Sequence, residues 1–170
     1  MQPTRIAKRL AANAEVYRHL LADVSPEQAR WKPAPEKWSQ LEVVCHLADE
    51  ERDDFRRRLD LTLHHPGELW PPNDPAGWAV ERRYNERNLA EVLADFLQER
   101  ARSTEWLGGL RDVQLGAAYD HPRSGKISAG DLLASWVAHD LIHIRQITRL
   151  HYEYLSATSL PYSPEYAGPW

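Results

Sequence analysis

One long apolar segment places Leu132, Trp136, His139, His143, Ile147 and Leu150 at steps of three and four. At about 3.6 residues per turn these positions make a single stripe along a helix, and such a stripe must be covered by other elements. Two of its places hold imidazoles. Burying an imidazole costs free energy unless its ring nitrogens find partners. His139 and His143 lie about 6 Å apart along the axis on one face, close enough to share a partner. A metal ion is one such partner, because neutral imidazole commonly ligates zinc and related ions. A backbone carbonyl or a carboxylate is the other.

The segments that could cover this stripe are helical too. In TRIAKRLAANAEVYRHLLADV, residues Ile6, Leu10, Ala14, Tyr17, Leu21 and Val24 keep helical spacing, and Thr4 is a candidate N-cap. SPEQ at 25 to 28 combines a Ser cap with Pro at the first helical position, a short connector ended by the prolines of KPAPEK. Ser39 and Glu42 fit a capping box, and Leu41, Val44, Leu47, Ala48, Phe55 and Leu59 carry a second helix to about residue 63.

Residues 64 to 80, HHPGELWPPNDPAGWAV, are too rich in proline for a helix and predict a long crossing loop. Tyr84, Leu89, Val92, Phe96 and Leu107 mark a third helix stopped by Gly108 and Gly109. A polar, turn-rich stretch containing YDHPRSGK leads to Ser128, whose S-A-G-D opens a fourth helix reaching about Tyr154. The proline-rich tail is predicted non-helical. There is no internal repeat, no Gly-rich phosphate loop and no alternating strand pattern. The expectation is an all-α fold, a four-helix bundle of one domain over residues 1–170, in which the 64–80 connection allows a crossover.

Composition narrows the function classes. A chain with 42% hydrophobic and 27% charged residues is ordinary globular protein. The net charge of -4 comes from interspersed charges, so the basic face expected of a nucleic-acid binder is missing. No run of about 18 apolar residues and no apolar block near the N-terminus exists, which predicts a cytoplasmic protein without a membrane partner. Cys45 is the one cysteine, so any metal site must use histidine and carboxylate.

His46 is the natural third ligand, since it lies midway along the second helix between apolar neighbours. Three histidines leave an open position of the kind catalytic sites use. Spacing alone leaves this reading beside that of core histidines bonded to backbone or carboxylate.

The stretches EKWSQLEVVCHLADEE and GKISAGDLLASWVAHDLIHIRQI resemble the two signature regions of the DinB/YfiT-like superfamily. The shared features are a W-S start, a histidine midway along helix two, and an H-x-x-x-H helix followed by Q-I. The resemblance implies a four-helix bundle carrying one divalent metal on His46, His139 and His143. It implies a metal-dependent hydrolase, or an S-transferase using a low-molecular-weight thiol, acting on a small molecule. A non-catalytic, metal-stabilised binding or structural bundle is the alternative. Similar proteins often form homodimers, and the tail aromatics Tyr162, Tyr166 and Trp170 could serve such an interface or fold back on their own bundle. Zinc and nickel lead the candidate metals, although imidazole also suits iron and copper.

HDLIH differs from the zincin H-E-x-x-H at the general-base position, where Asp140 is a methylene shorter than Glu, and no third ligand follows downstream. Asp140 is expected at the helix surface or orienting a ligand imidazole. Glu50, at i+4 from His46, is the candidate catalytic base or orienter, against a solvated pair on an exposed face. Asp49 and Asp53 are expected to be solvated. Cys45 is turned about 100° from His46 and reads as a packing residue. His64 and His65 are expected at a solvated helix end, and His121 in a loop. His19 and His151 lack a matching partner. Trp38 suits a hydrophobic staple before Ser39. Tryptophans 70, 78, 106, 136 and 170 are expected to pack core and loops, although Trp136, one turn before His139, could wall a cleft.

Overall fold

The computed structural model describes residues 2–168. The first long helix, α1 (Pro3–Leu21), is capped two residues earlier than expected: Gln2 occupies the N-cap and Pro3 the first turn, so Thr4 lies inside the helix. Proline suits that position because its missing N–H would be unpaired there anyway. The short α2 (Pro26–Arg30) is capped by Ser25, which accepts from the Gln28 amide. Ser39 and Glu42 form the full capping box that opens α3 (Gln40–Asp49). Every residue of α3 is buried, polar Gln40 and Glu42 included. The helix continues through a π-helical segment, Glu50–Phe55, into α4 (Arg56–His64).

The proline-rich connection is partly ordered, contrary to the loop expectation. Asp74 caps α5 (Pro75–Glu81) by accepting from the Gly77 amide, and Pro75 stands in the first turn, the one part of a helix proline favours. Tyr84 is not in the third long helix but in a 3-10 turn, Tyr84–Glu86. The long helix α6 (Leu89–Gly109) starts only after Asn88, whose side chain accepts from the Ala90 and Glu91 amides. YDHPRSGK forms a two-stranded antiparallel hairpin, β1 (Ala118–His121) and β2 (Gly125–Ser128). Neither AYDH nor GKIS alternates apolar with polar residues, so the signal by which a strand is recognised is absent from both. A second capping box, Ser128 with Asp131, opens α7 (Ala129–Thr158), which outruns the expected end at Tyr154. The tail also contains a 3-10 turn, Pro164–Ala167.

α1 packs on α6 and α7, and the α3–α4 helix likewise packs on α6 and α7. Chain order is therefore not ring order: the segments 22–39 and 110–128 carry the chain across the bundle. The 65–88 connection joins neighbours instead, so it is not the crossover that its length suggested. Two apolar clusters fill the bundle, one around Tyr17, Leu41, Val44 and Phe96, the other around Leu10, Phe55, Leu133 and Trp136. Tyr162 and Tyr166 are exposed and do not fold back on the bundle; Trp170 lies outside the described residues. Among the described residues no helix is long and apolar enough to cross a membrane.

Candidate metal centre

The expected stripe of α7 faces inward, with Leu132, Trp136, His143, Ile147 and Leu150 buried and His139 half-buried. His46 meets it from α3. Its Nε2 lies 3.1 Å from His139 Nε2, which in turn lies 3.1 Å from His143 Nε2. The three ligand nitrogens fall within 4.8 Å of one another.

Hydrogen bonding cannot satisfy this arrangement. The Oε1 of Gln146 accepts from His143 Nδ1 at 2.7 Å, which leaves a lone pair on His143 Nε2. The Nε2 of His139 has either one hydrogen or one lone pair, yet it faces two nitrogens at the same distance. A divalent ion accepts a lone pair from all three. The His46–His139 and His139–His143 nitrogen pairs, each 3.1 Å apart, are close enough that one ion with N–metal bonds of about 2.0–2.1 Å would reach both members of each pair. Burial holds the rings neutral, as ligation requires. It lowers the pKa of His46 to about 3, helped by His143, and that of His139 to about 2, helped by His143, His46 and Arg100. Burial lowers His143 as well.

Behind His46 lies Glu50, 5% exposed, with Oε1 3.6 Å from His46 Nδ1. That nitrogen is buried and has no hydrogen-bond partner. The carboxylate thus stands on the side of the ring opposite the three converging nitrogens. Burial and then the neighbouring charge of Asp54 raise the Glu50 pKa to about 8, against a hydrogen bond of 3.1 Å from Asn73 Nδ2. Asp54 is itself paired with Arg58 at 2.7 Å. The π segment matters here, because its wider turn directs Glu50, Glu51 and Asp54 all into the interior.

Several residues sit elsewhere than their sequence positions suggested. Asp140 is fully buried, not on the surface. Arg100 grips it through two 2.7 Å contacts, and Asn13 donates to it at 2.9 Å. Asp49 is buried too, accepting from the Tyr84 hydroxyl and paired with Arg82 at 2.7 Å. Asp53 is half-exposed between Arg52 and Arg82. His151 does have a partner, since Gln28 Nε2 lies 2.9 Å from its Nδ1. Trp38 lies over His46 with ring centroids 5.0 Å apart, and so does more than cap a helix. Trp136 is core: it stacks on Phe55 and donates to Glu51 at 2.6 Å. Cys45 is buried, and burial pushes its thiol up to about 12, as suits a packing residue. His64 and His65 are exposed beside Asp60 and Glu68.

Arg100 and Glu51 are the functional-site neighbours that sequence reasoning missed. Arg100 pairs with Glu51 and Asp140 at 2.7 Å each and donates to the Leu10 carbonyl at 3.0 Å. It thereby ties α6 to the other three long helices beneath His139. An arginine at an apolar-stripe position was the available signal: Arg100 falls four residues after Phe96 and seven before Leu107.

A cavity of about 280 Å³ adjoins the trio, lined by Trp38 and Gln146 together with Lys37, Leu150 and Arg149. The first two touch His46 and His143 respectively.

Comparison with known proteins agrees with this architecture. A family model described as the DinB superfamily matches residues 9–147. Among solved structures, YfiT from Bacillus subtilis matches with a TM-score of 0.79 and 22% identity, covering 89% of this chain and 87% of that one. YfiT is described as a probable metal-dependent hydrolase with an unusual four-helix bundle topology. At that identity the likeness concerns the fold. No curated protein matches the chain.

Proposed function

The chain belongs to the DinB superfamily, and we propose that it is a metal-dependent hydrolase of a small molecule, with His46, His139 and His143 as the ligands of one divalent transition metal. The observation that carries this reading is the convergence of three neutral imidazole nitrogens that hydrogen bonding cannot satisfy. A metal ion held there supplies Lewis-acid polarisation of a substrate carbonyl or of a water molecule. The description of YfiT as a probable metal-dependent hydrolase points the same way.

The protein's own groups have distinct tasks. Gln146 fixes the His143 tautomer so that Nε2 presents its lone pair. The 3.6 Å approach of Glu50 to His46 Nδ1 supports an orienting role, with the carboxylate taking up the Nδ1 hydrogen. The pKa of about 8 also lets Glu50 hold or release a proton near neutral pH. Trp38 both lines the adjoining cavity and lies over the His46 ring, giving that cavity an apolar wall.

Elemental analysis of untagged protein beside a His143→Ala variant tests the metal. About one equivalent in the parent and little in the variant is the expected result. Parent and variant with equal metal content would overturn the assignment. A loaded protein is then assayed on ester and amide panels, and on low-molecular-weight thiols with electrophilic acceptors. Turnover only with thiols reassigns the reaction to S-transfer. A large chelator-dependent loss of thermal stability without any turnover marks a structural metal.

A further inference from the structure

A second cavity, of about 480 Å³, lies between the proline-rich connection and the hairpin turn. That volume falls within the range of small-molecule sites. Four prolines line it, Pro71, Pro72, Pro75 and Pro122, so its walls carry little conformational freedom to lose on binding. Arg58, Trp70, Asn73, Tyr119, His121 and Arg123 complete it, and no lining residue is acidic.

Its polar groups are mostly donors. Trp70 is 9% exposed, stacks on Tyr119 with centroids 4.3 Å apart, and keeps a buried indole N–H with no partner. The Nδ1 of His121 accepts from the Arg123 and Ser124 amides at 3.3 and 3.1 Å. The ring hydrogen is therefore on Nε2, a donor. Among the described residues Arg123 enters no ion pair. Arg58 lies with its guanidinium 5.0 Å from the Trp70 ring centroid and balances Asp54 beneath. The nearest acids along the chain are committed or turned away. Asp74 caps the Gly77 amide, and Asp120 is exposed between Tyr119 and His121, on the opposite face of β1.

We propose that this cavity binds the oxyanion group, carboxylate or phosphate, of a small molecule, with Arg123, the His121 Nε2–H and the Trp70 indole N–H as its donors. A buried donor without a partner costs free energy that an anion recovers, and Arg123, which is in no ion pair among the described residues, favours negative charge even though Arg58 is matched by Asp54. The Oδ1 of Asn73 is a buried acceptor also lacking a partner, a place for a hydroxyl or amide N–H on the same molecule. The other end of that amide donates to Glu50, which approaches His46, so two side chains, Asn73 and Glu50, separate the occupant from the three-histidine centre.

The test is calorimetric titration of the full chain with inorganic phosphate and, separately, with benzoate, at constant ionic strength. Saturable binding of one of them near one equivalent is expected. It should weaken at least tenfold in Arg123→Ala/His121→Ala, residues on an exposed hairpin, and severalfold in Trp70→Phe, which removes the N–H. It should persist in His143→Ala, which separates this site from an ion on the histidines. No saturable binding at millimolar ligand, unchanged affinity in the hairpin variant, or loss of binding in His143→Ala would each overturn the proposal.

Discussion

The histidines and their acidic neighbour set how the site responds to protons. His46 and His139 have folded-state pKa values of about 3 and 2, below the ordinary 6.5, so between those values the unfolded chain binds more protons. Their contribution to stability is complete above about 6.5 and is lost as pH falls. Glu50 has the opposite sign: with its pKa raised from 4.5 to about 8, the folded state binds the extra proton, and stability declines as pH rises through that window. Urea unfolding of the metal-free protein is therefore expected to show stability climbing from pH 4 to about 6.5 and easing off toward pH 8. Glu50→Gln should abolish the decline above about pH 6.5 and steepen the climb between about pH 4.5 and 6.5. The same variant keeps the size of the side chain but cannot ionise, so above about pH 8 metal affinity by chelator competition should fall about 10–100-fold. An unchanged affinity would remove Glu50 from the support of His46.

Elements are held by their ends as well as by their faces. The Ser39 hydroxyl accepts from the Glu42 amide while donating to Asn85 Oδ1 at 2.7 Å, so one side chain starts α3 and ties it to the 3-10 turn. Ser39→Ala is expected to cost about 1–2 kcal/mol in urea melts. Because α3 carries His46, it should also weaken metal retention. The capping boxes at Ser39 and Ser128 were legible because a cap needs only residues three apart. The helix end near Gly108–Gly109 was legible too, although both glycines are the last helical residues, with Leu110 as the C-cap and neither in the left-handed region, so they end the helix by weak propensity. The α5 cap at Asp74 followed the same local rule but was hidden by the prolines around it. The π segment left no local mark, and of its buried acids only Glu50 stood out, by its place one turn after His46.

At the scale of the molecule, Arg100 joins all four long helices through Leu10, Glu51 and Asp140. A buried ion network is not in itself a source of stability, but breaking one by removing a single partner leaves uncompensated charge. Arg100→Leu is expected to destabilise the protein by about 3–5 kcal/mol, measured by urea unfolding. Adding Glu51→Gln and Asp140→Asn should restore most of the loss. Those amides keep oxygens for Trp136 and Asn13 to donate to while discarding the stranded charges. A triple variant as unstable as the single one would show that Arg100 acts by packing.

The helical class, the two capping boxes, the inward stripe of α7 and the face shared by His139 and His143 were all legible from residue spacing. All of these follow from spacing within one element, where helix geometry alone relates the residues. His46 was reachable as well, because an imidazole amid apolar neighbours on another long helix has few other places to go. Which helices are neighbours, and that 22–39 and 110–128 carry the crossings, was decided only by the tertiary structure. The same holds for the burial of Asp49, Glu51 and Asp140. Each lies in the interior because an arginine from another segment, with tyrosine, tryptophan or asparagine donors, meets it there. A charge is tolerated in a core when such partners arrive, and their arrival depends on pairings between segments that no local pattern records.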